Sequence, residues 1–149
     1  MKFKLIFLAL LFSMCSNVTQ EASKEIRVVS LSTTHTEIIQ SLEAQETLIA
    51  VDSFSEVDFP VEVIDAYTVT AEELAPLNPD VVILAFDFNG IVEGLENQEI
   101  NYVLLPPAKN FEEVYSQIET IGSLVNKESE AFSTTRDMKI EINRILDNA

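Results

Sequence analysis

A chain of 149 residues suits one domain, and a hydrophobic content of 47% is enough to build a packed core, which excludes a disordered acidic tail. Nine basic residues against 25 acidic ones leave a net charge of −16. That field repels nucleic acid and anionic lipid, so no nucleic-acid partner is expected, and most of the carboxylates are expected on a solvated surface.

The chain opens with a targeting pattern over residues 1–15. Lys2 and Lys4 give a positive start, and an apolar stretch over residues 5–12 is too short to span a bilayer. Cys15 follows at once and is the only cysteine, so an internal disulfide is excluded. A lone cysteine directly after a short apolar stretch resembles a bacterial lipobox, in which the thiol receives diacylglycerol and becomes a lipid anchor to the membrane. Phe12 and Met14 depart from that pattern. The alternative is an ordinary secretory signal with an incidental cysteine. Either reading places the protein outside the cytoplasm, at the periplasm or cell surface, anchored or secreted. Residues 16–25 are polar and read as a tether.

From residue 26 onward the pattern alternates strand and helix. Residues 28–31 are an apolar run that passes through Ser32, Thr33 and Thr34 into a helix over about 36–43. Thr34 and Glu37 have the spacing of a capping box. The helix ends at residues 43–46 without the usual glycine. A second strand over 48–51 leads into Asp52-Ser53-Phe54. Residues 56–69 carry Pro60 and no helical period, and read as a long loop with room for a short strand near 63–66. Thr70 and Glu73 form a second capping box. A third strand over 81–86 ends at Phe86-Asp87-Phe88-Asn89-Gly90 and leads to a helix carrying Ile91, Val92 and Leu95. A fourth strand covers 102–105. Asn110 then caps the most regular helix, whose predicted apolar face holds Phe111, Val114, Tyr115, Ile118, Ile121 and Val125. A last helix runs over about 127–146, with Phe132, Met138, Ile142 and Ile145 loosely in phase. The expected fold class is α/β: a Rossmann-like three-layer lobe of about four parallel strands with helices on both faces.

Several chemistries are poorly supplied. No G-x-S-x-G elbow, Walker A sequence or G-x-G-x-x-G loop occurs, and only Gly90, Gly94 and Gly122 are present. His35 is the only histidine, so neither a metal nor another cofactor is expected. His35 itself reads as a solvated first-turn residue. Asp52 and Asp87 follow neighbouring strands and are the sole candidates for a catalytic carboxylate pair, although aspartate after a strand is also ordinary turn chemistry. No catalytic residue is assigned and an enzyme is not expected. What the strand ends do supply is hydroxyls and aromatic rings. Ser32, Thr33 and Thr34 follow the first strand, Phe54 the second, Phe86, Asp87 and Phe88 the third, and Tyr67 lies in the long loop. Such an edge suits a bulky, partly apolar ligand better than a small anion.

These stretches, taken together, resemble the extracytoplasmic substrate-binding proteins of ABC importers for iron-siderophores, haem and cobalamin, whose two α/β lobes are joined by one long helix. The resemblance is carried by residues 27–37 (RVVSLSTTHTE), 51–55 (VDSFS), 71–83 (AEELAPLNPDVVI), 89–95 (NGIVEGL) and 103–121 (VLLPPAKNFEEVYSQIETI), in family order and spacing, and it covers about residues 26–146. It implies a lobe over 26–126 and the start of an inter-lobe helix over 127–149. It implies a ligand cleft touched by Ser32, Thr33, Phe54, Tyr67, Phe86 and Phe88. It implies that Glu72 docks on the permease. Thr33 stands where the family usually has proline, and residues 43–46 replace a glycine-bearing turn.

The expected function is therefore the solute-binding component of an ABC importer for an iron complex or a cobalamin-like ligand. It would present one lobe, with a second lobe separately encoded or lost. The alternative is a degenerate single-lobe surface lipoprotein that interacts with a partner without capturing ligand.

Overall fold

The computed structural model describes residues 25–148. Cys15, the signal pattern and most of the predicted tether lie outside them.

Five parallel strands form one sheet: β1 (Val28–Leu31), β2 (Leu48–Asp52), β3 (Glu62–Ile64), β4 (Val81–Leu84) and β5 (Tyr102–Leu104). Their order across the sheet is β3-β2-β1-β4-β5. The expected count of about four fell short by β3. That strand is short, carries Glu62 and sits exposed at an edge, so it lacks the apolar run that marks its neighbours.

Five helices cover the sheet: α1 (Thr33–Ser41), α2 (Ala71–Leu74), α3 (Ile91–Asn97), α4 (Phe111–Leu124) and α5 (Glu128–Asp147). Alternation along the strands sorts the core into two layers. Val28, Val51, Val81 and Ile83 face α1 and α4, meeting Ile39, Leu42, Ile118 and Ile121. Val29, Leu31, Val82 and Leu84 face α2 and α3, meeting Leu74, Ile91 and Leu95. The three-layer α/β lobe is thus the observed architecture.

The amino edge of the sheet is clamped by Arg27. Its backbone N–H donates to Asp80 Oδ2 at 3.0 Å, and its guanidinium donates to the carbonyls of Leu77 and Asn78. Two capping expectations hold. Thr70 Oγ1 accepts from Glu73 N while Glu73 Oε2 accepts from Thr70 N, a complete capping box. Asn110 Oδ1 accepts from Glu113 N at 2.9 Å.

The third expectation fails. α1 starts at Thr33, not near residue 36, and its N-cap is Ser32 with no side-chain capping bond, so the Thr34–Glu37 box does not form. Three consecutive hydroxyls gave three candidate caps, and the chain turns at the earliest. The helix ends without glycine because Glu43 itself takes the left-handed conformation, with φ of 53°.

Two apolar faces also differ from expectation. Phe111 is exposed at the start of α4, whose buried face is Tyr115, Ile118 and Ile121. On α5 the buried residues are Ala131 and Thr135, with Met138 packed against the core, while Phe132 and Ile145 are exposed. The period of α5 holds at Met138 and at the half-buried Ile142 and fails at Phe132 and Ile145, because the tightest contact with α4 is made by small residues. Gly122 is the reason the two helices approach so closely: a Cβ there would stand 2.4 Å from Ala131 Cβ. Thr135 Oγ1 donates to Glu119 Oε1, and Lys139 Nζ lies 4.7 Å from the centre of the Tyr115 ring.

Candidate functional site

The strand order reverses direction between β1 and β4, and α1 and α3 leave these strands on opposite faces. The carboxyl ends of the two strands therefore open a crevice, the place where open α/β sheets hold ligands. Two cavities meet there and share Ser32, Thr34, Ala85 and Phe86.

The first cavity, of about 220 Å³, lies on the β2 side and is lined by Ser32, Thr33, Asp52, Phe54, Tyr67 and Phe88 among others. Its rings form a connected cluster. Tyr67 and Phe88 have centroids 4.6 Å apart, Phe86 and Phe88 5.3 Å, and Phe54 meets Tyr67 edge-on at 6.2 Å. Phe54 is 68% exposed and Phe86 49%, so neither is a core residue. Phe88 is half-buried between Tyr67 and Phe86.

Asp52 holds the floor of this cavity together and is itself buried. Its Oδ2 accepts from Phe54 N and from Thr33 Oγ1, and its Oδ1 accepts from Ala66 N. One carboxylate thus ties α1, the β2 turn and the loop after β3. Behind it, Thr36 Oγ1 shares its proton between Ser30 Oγ and Ser32 O and accepts from Ser55 Oγ, all buried or half-buried. Asp87 is exposed and its Oδ1 accepts from Val92 N at 3.0 Å. It caps the start of α3 and lines neither cavity, which places it apart from the other predicted ligand residues. Asp52 and Asp87 are both engaged in turn chemistry. Asn89, held at φ of 54°, donates from Nδ2 to Tyr67 O and fixes the ring-bearing loops to one another.

The second cavity, of about 370 Å³, lies on the β5 side and is lined by His35, Ile38, Leu105, Pro107, Val114 and Gln117 besides the shared residues. His35 is not solvated, as its first-turn position suggested; it is 2% exposed. Burial pushes its imidazole down from 6.5 to about 4, and hydrogen bonding to the Leu105 backbone opposes that only in part. Its Nδ1 finds no hydrogen-bond partner among the described residues. The signal for burial was present: His35 stands three, four and seven positions before Ile38, Ile39 and Leu42, on the apolar stripe of α1.

Among the described residues no three of His, Cys, Asp and Glu stand together as a metal site. No described helix is long and apolar enough to cross a membrane. Glu72 is exposed in the first turn of α2, beside the capping box.

A sequence model described as periplasmic binding protein matches residues 28–147. A search of curated proteins finds no match. Among solved structures, the periplasmic heme-binding protein HutB of Vibrio cholerae aligns with a TM-score of 0.71 at 23% identity, covering 83% of this chain and 50% of its own. A possible iron-binding (periplasmic solute-binding) protein from Staphylococcus epidermidis gives 0.69 at 23% identity, covering 82% and 50%. An ABC-type Fe3+-hydroxamate transport system protein from Saccharomonospora viridis gives 0.61 at 20% identity, covering 80% and 49%. These likenesses show the fold, and this chain spans about half the length of each. With the family match running from β1 through α5, the chain belongs to the periplasmic binding protein family.

Proposed function

We propose that this chain is the amino-terminal lobe of the solute-binding component of an ABC importer, taking an iron complex or a cobalamin-like ligand. The observation that carries the reading is the crevice itself. Four aromatic rings and three hydroxyl residues line the first of two contiguous cavities at the carboxyl edge of β1, β2 and β4, and Ser32, Thr34 and Phe86 continue into the second. Rings supply broad contact area and hydroxyls fix orientation, which suits a bulky metal chelate. The heme-binding and Fe3+-hydroxamate names of similar structures support that ligand class. Binding is by contact and hydrogen bonding, without covalent chemistry. α5 is the start of the inter-lobe helix, Glu72 meets the permease, Ser32, Thr33, Thr34, Phe54, Tyr67, Phe86 and Phe88 touch the ligand, and Cys15 anchors the protein outside the cytoplasm.

The test is calorimetric titration of the purified protein with haem, a ferric siderophore and cobalamin, alone and with a separately expressed second lobe. Saturable binding of one of them is expected. Binding of none under either condition refutes ligand capture.

A second reading, an interaction module without a ligand, draws on one observation. The rings pack on one another, and the ring-lined cavity of about 220 Å³ is smaller than the roughly 300–1,000 Å³ of usual ligand sites. That reading expects no titration with any chelate. It expects retained association with a partner, whereas weakening of permease association by Glu72→Lys favours the first reading.

A further inference from the structure

We propose that this face discriminates by charge, admitting metal chelates whose outer surface is neutral or positive and turning away those bearing free carboxylates. The proposal rests on the reading of the crevice as a chelate site and narrows its substrate class.

Neither cavity is lined by a lysine or arginine. Five of the six described cations are engaged elsewhere. Arg27 is bound to two carbonyls at the opposite end of the sheet. Lys127, Arg136 and Arg144 pair with Glu130, Asp137 and Glu141. Lys139 sits over Tyr115. Lys109 stands at the margin of the crevice, in a groove that it lines with Glu113 and that shares Pro107 and Gln117 with the second cavity.

Inside that margin the crevice presents one sign. Asp52 lies in the floor, and Asp65 stands beside Tyr67, whose N–H it accepts. The four rings add the negative faces of their π systems, which attract cations and repel anions. One element has the opposite sense: the first turn of α1 carries no side-chain cap and ends in the cavity. Its dipole amounts to roughly half a charge. The Asp52 carboxylate, which accepts from Thr33 in that turn, outweighs it. The whole-chain charge of −16 acts in the same direction as Asp52.

The experiment holds the chelate constant and varies only its charge. A ferric linear trihydroxamate with a free terminal amine, its N-acetyl derivative and its N-succinyl derivative carry positive, neutral and negative tails on the same core. Affinities of the purified protein for the three are measured at low and at high salt. The amine form is expected to bind about tenfold or more tighter than the succinyl form at low salt, with the gap closing as salt is added. Equal affinities, a tighter succinyl form, or tight binding of haem, whose two propionates are free carboxylates, overturn the charge discrimination and leave the chelate site standing. Binding of none of the three, with none of haem, other siderophores or cobalamin either, removes the chelate site and this proposal together.

Discussion

Acid should destabilise this protein through His35, by an amount that follows from its burial. The imidazole is 2% exposed and held near a pKa of about 4, against 6.5 in a free chain. The folded state therefore keeps His35 neutral while the unfolded chain takes up a proton below pH 6.5. The stability linked to this group is complete above 6.5 and is lost as the pH falls toward 4. The full loss is about 3 kcal/mol, and about 2 kcal/mol of it falls between pH 7 and pH 5. A domain of this size has only about 5–15 kcal/mol in all. Urea unfolding followed by circular dichroism, on the natural protein and on His35→Phe, measures the effect. Both share the same 25 acidic residues, so the difference between their pH profiles isolates the imidazole. The natural protein should lose about 2 kcal/mol more than the variant between pH 7 and pH 5. Superimposable profiles would refute the reasoning, as would a His35 ring that titrates near 6.5 by NMR.

Three further outcomes are expected. Gly122→Ala drives a methyl to 2.4 Å from Ala131 Cβ and 3.0 Å from Lys127 O, and should cost about 2 kcal/mol in urea unfolding; an unchanged midpoint would mean that α5 simply rides outward. Glu43→Gly relieves a left-handed glutamate at φ of 53° and should raise stability by roughly 0.5–1 kcal/mol, read as a higher urea midpoint. Phe88→Ala removes the ring between Tyr67 and Phe86 and should weaken chelate binding about tenfold. Its Tyr67 neighbour keeps its contact with Phe54, so far-ultraviolet circular dichroism should stay the same.

Strands β1, β2 and β4 were legible because each is buried on both faces and reads as a continuous apolar run. β3 was nearly invisible, since an exposed edge strand of three residues needs no such run. Capping was legible where one candidate stood alone, at Thr70 and at Asn110, and ambiguous where Ser32, Thr33 and Thr34 competed. The ring cluster was legible as a set because Phe54, Phe86 and Phe88 follow strand ends and Tyr67 lies in the long loop between them. Which ring would be most open was not, since that depends on the contact of Phe88 with Tyr67, 21 positions earlier in the chain. His35 was misread because its position in the first helical turn was weighed above its place on the apolar stripe. The closeness of α4 and α5 escaped pattern reading altogether, because glycine and alanine carry little hydrophobic signal.

That closeness has a mechanical consequence. α5 is gripped over residues 131–142, by Gly122 against Ala131, by Glu119 against Thr135, by the core around Met138 and by Lys139 and Ile142 beside Tyr115. Beyond Lys139 over Tyr115, Ile140, Ile145 and Leu146 are exposed. The helix is thus a rod about 30 Å long whose tightest contact, the fulcrum at Ala131, lies near one end. A tilt of about 5° at the fulcrum moves the far end by about 2–3 Å. Glycine at position 122 sets the angular tolerance of the joint, and the length of α5 multiplies it.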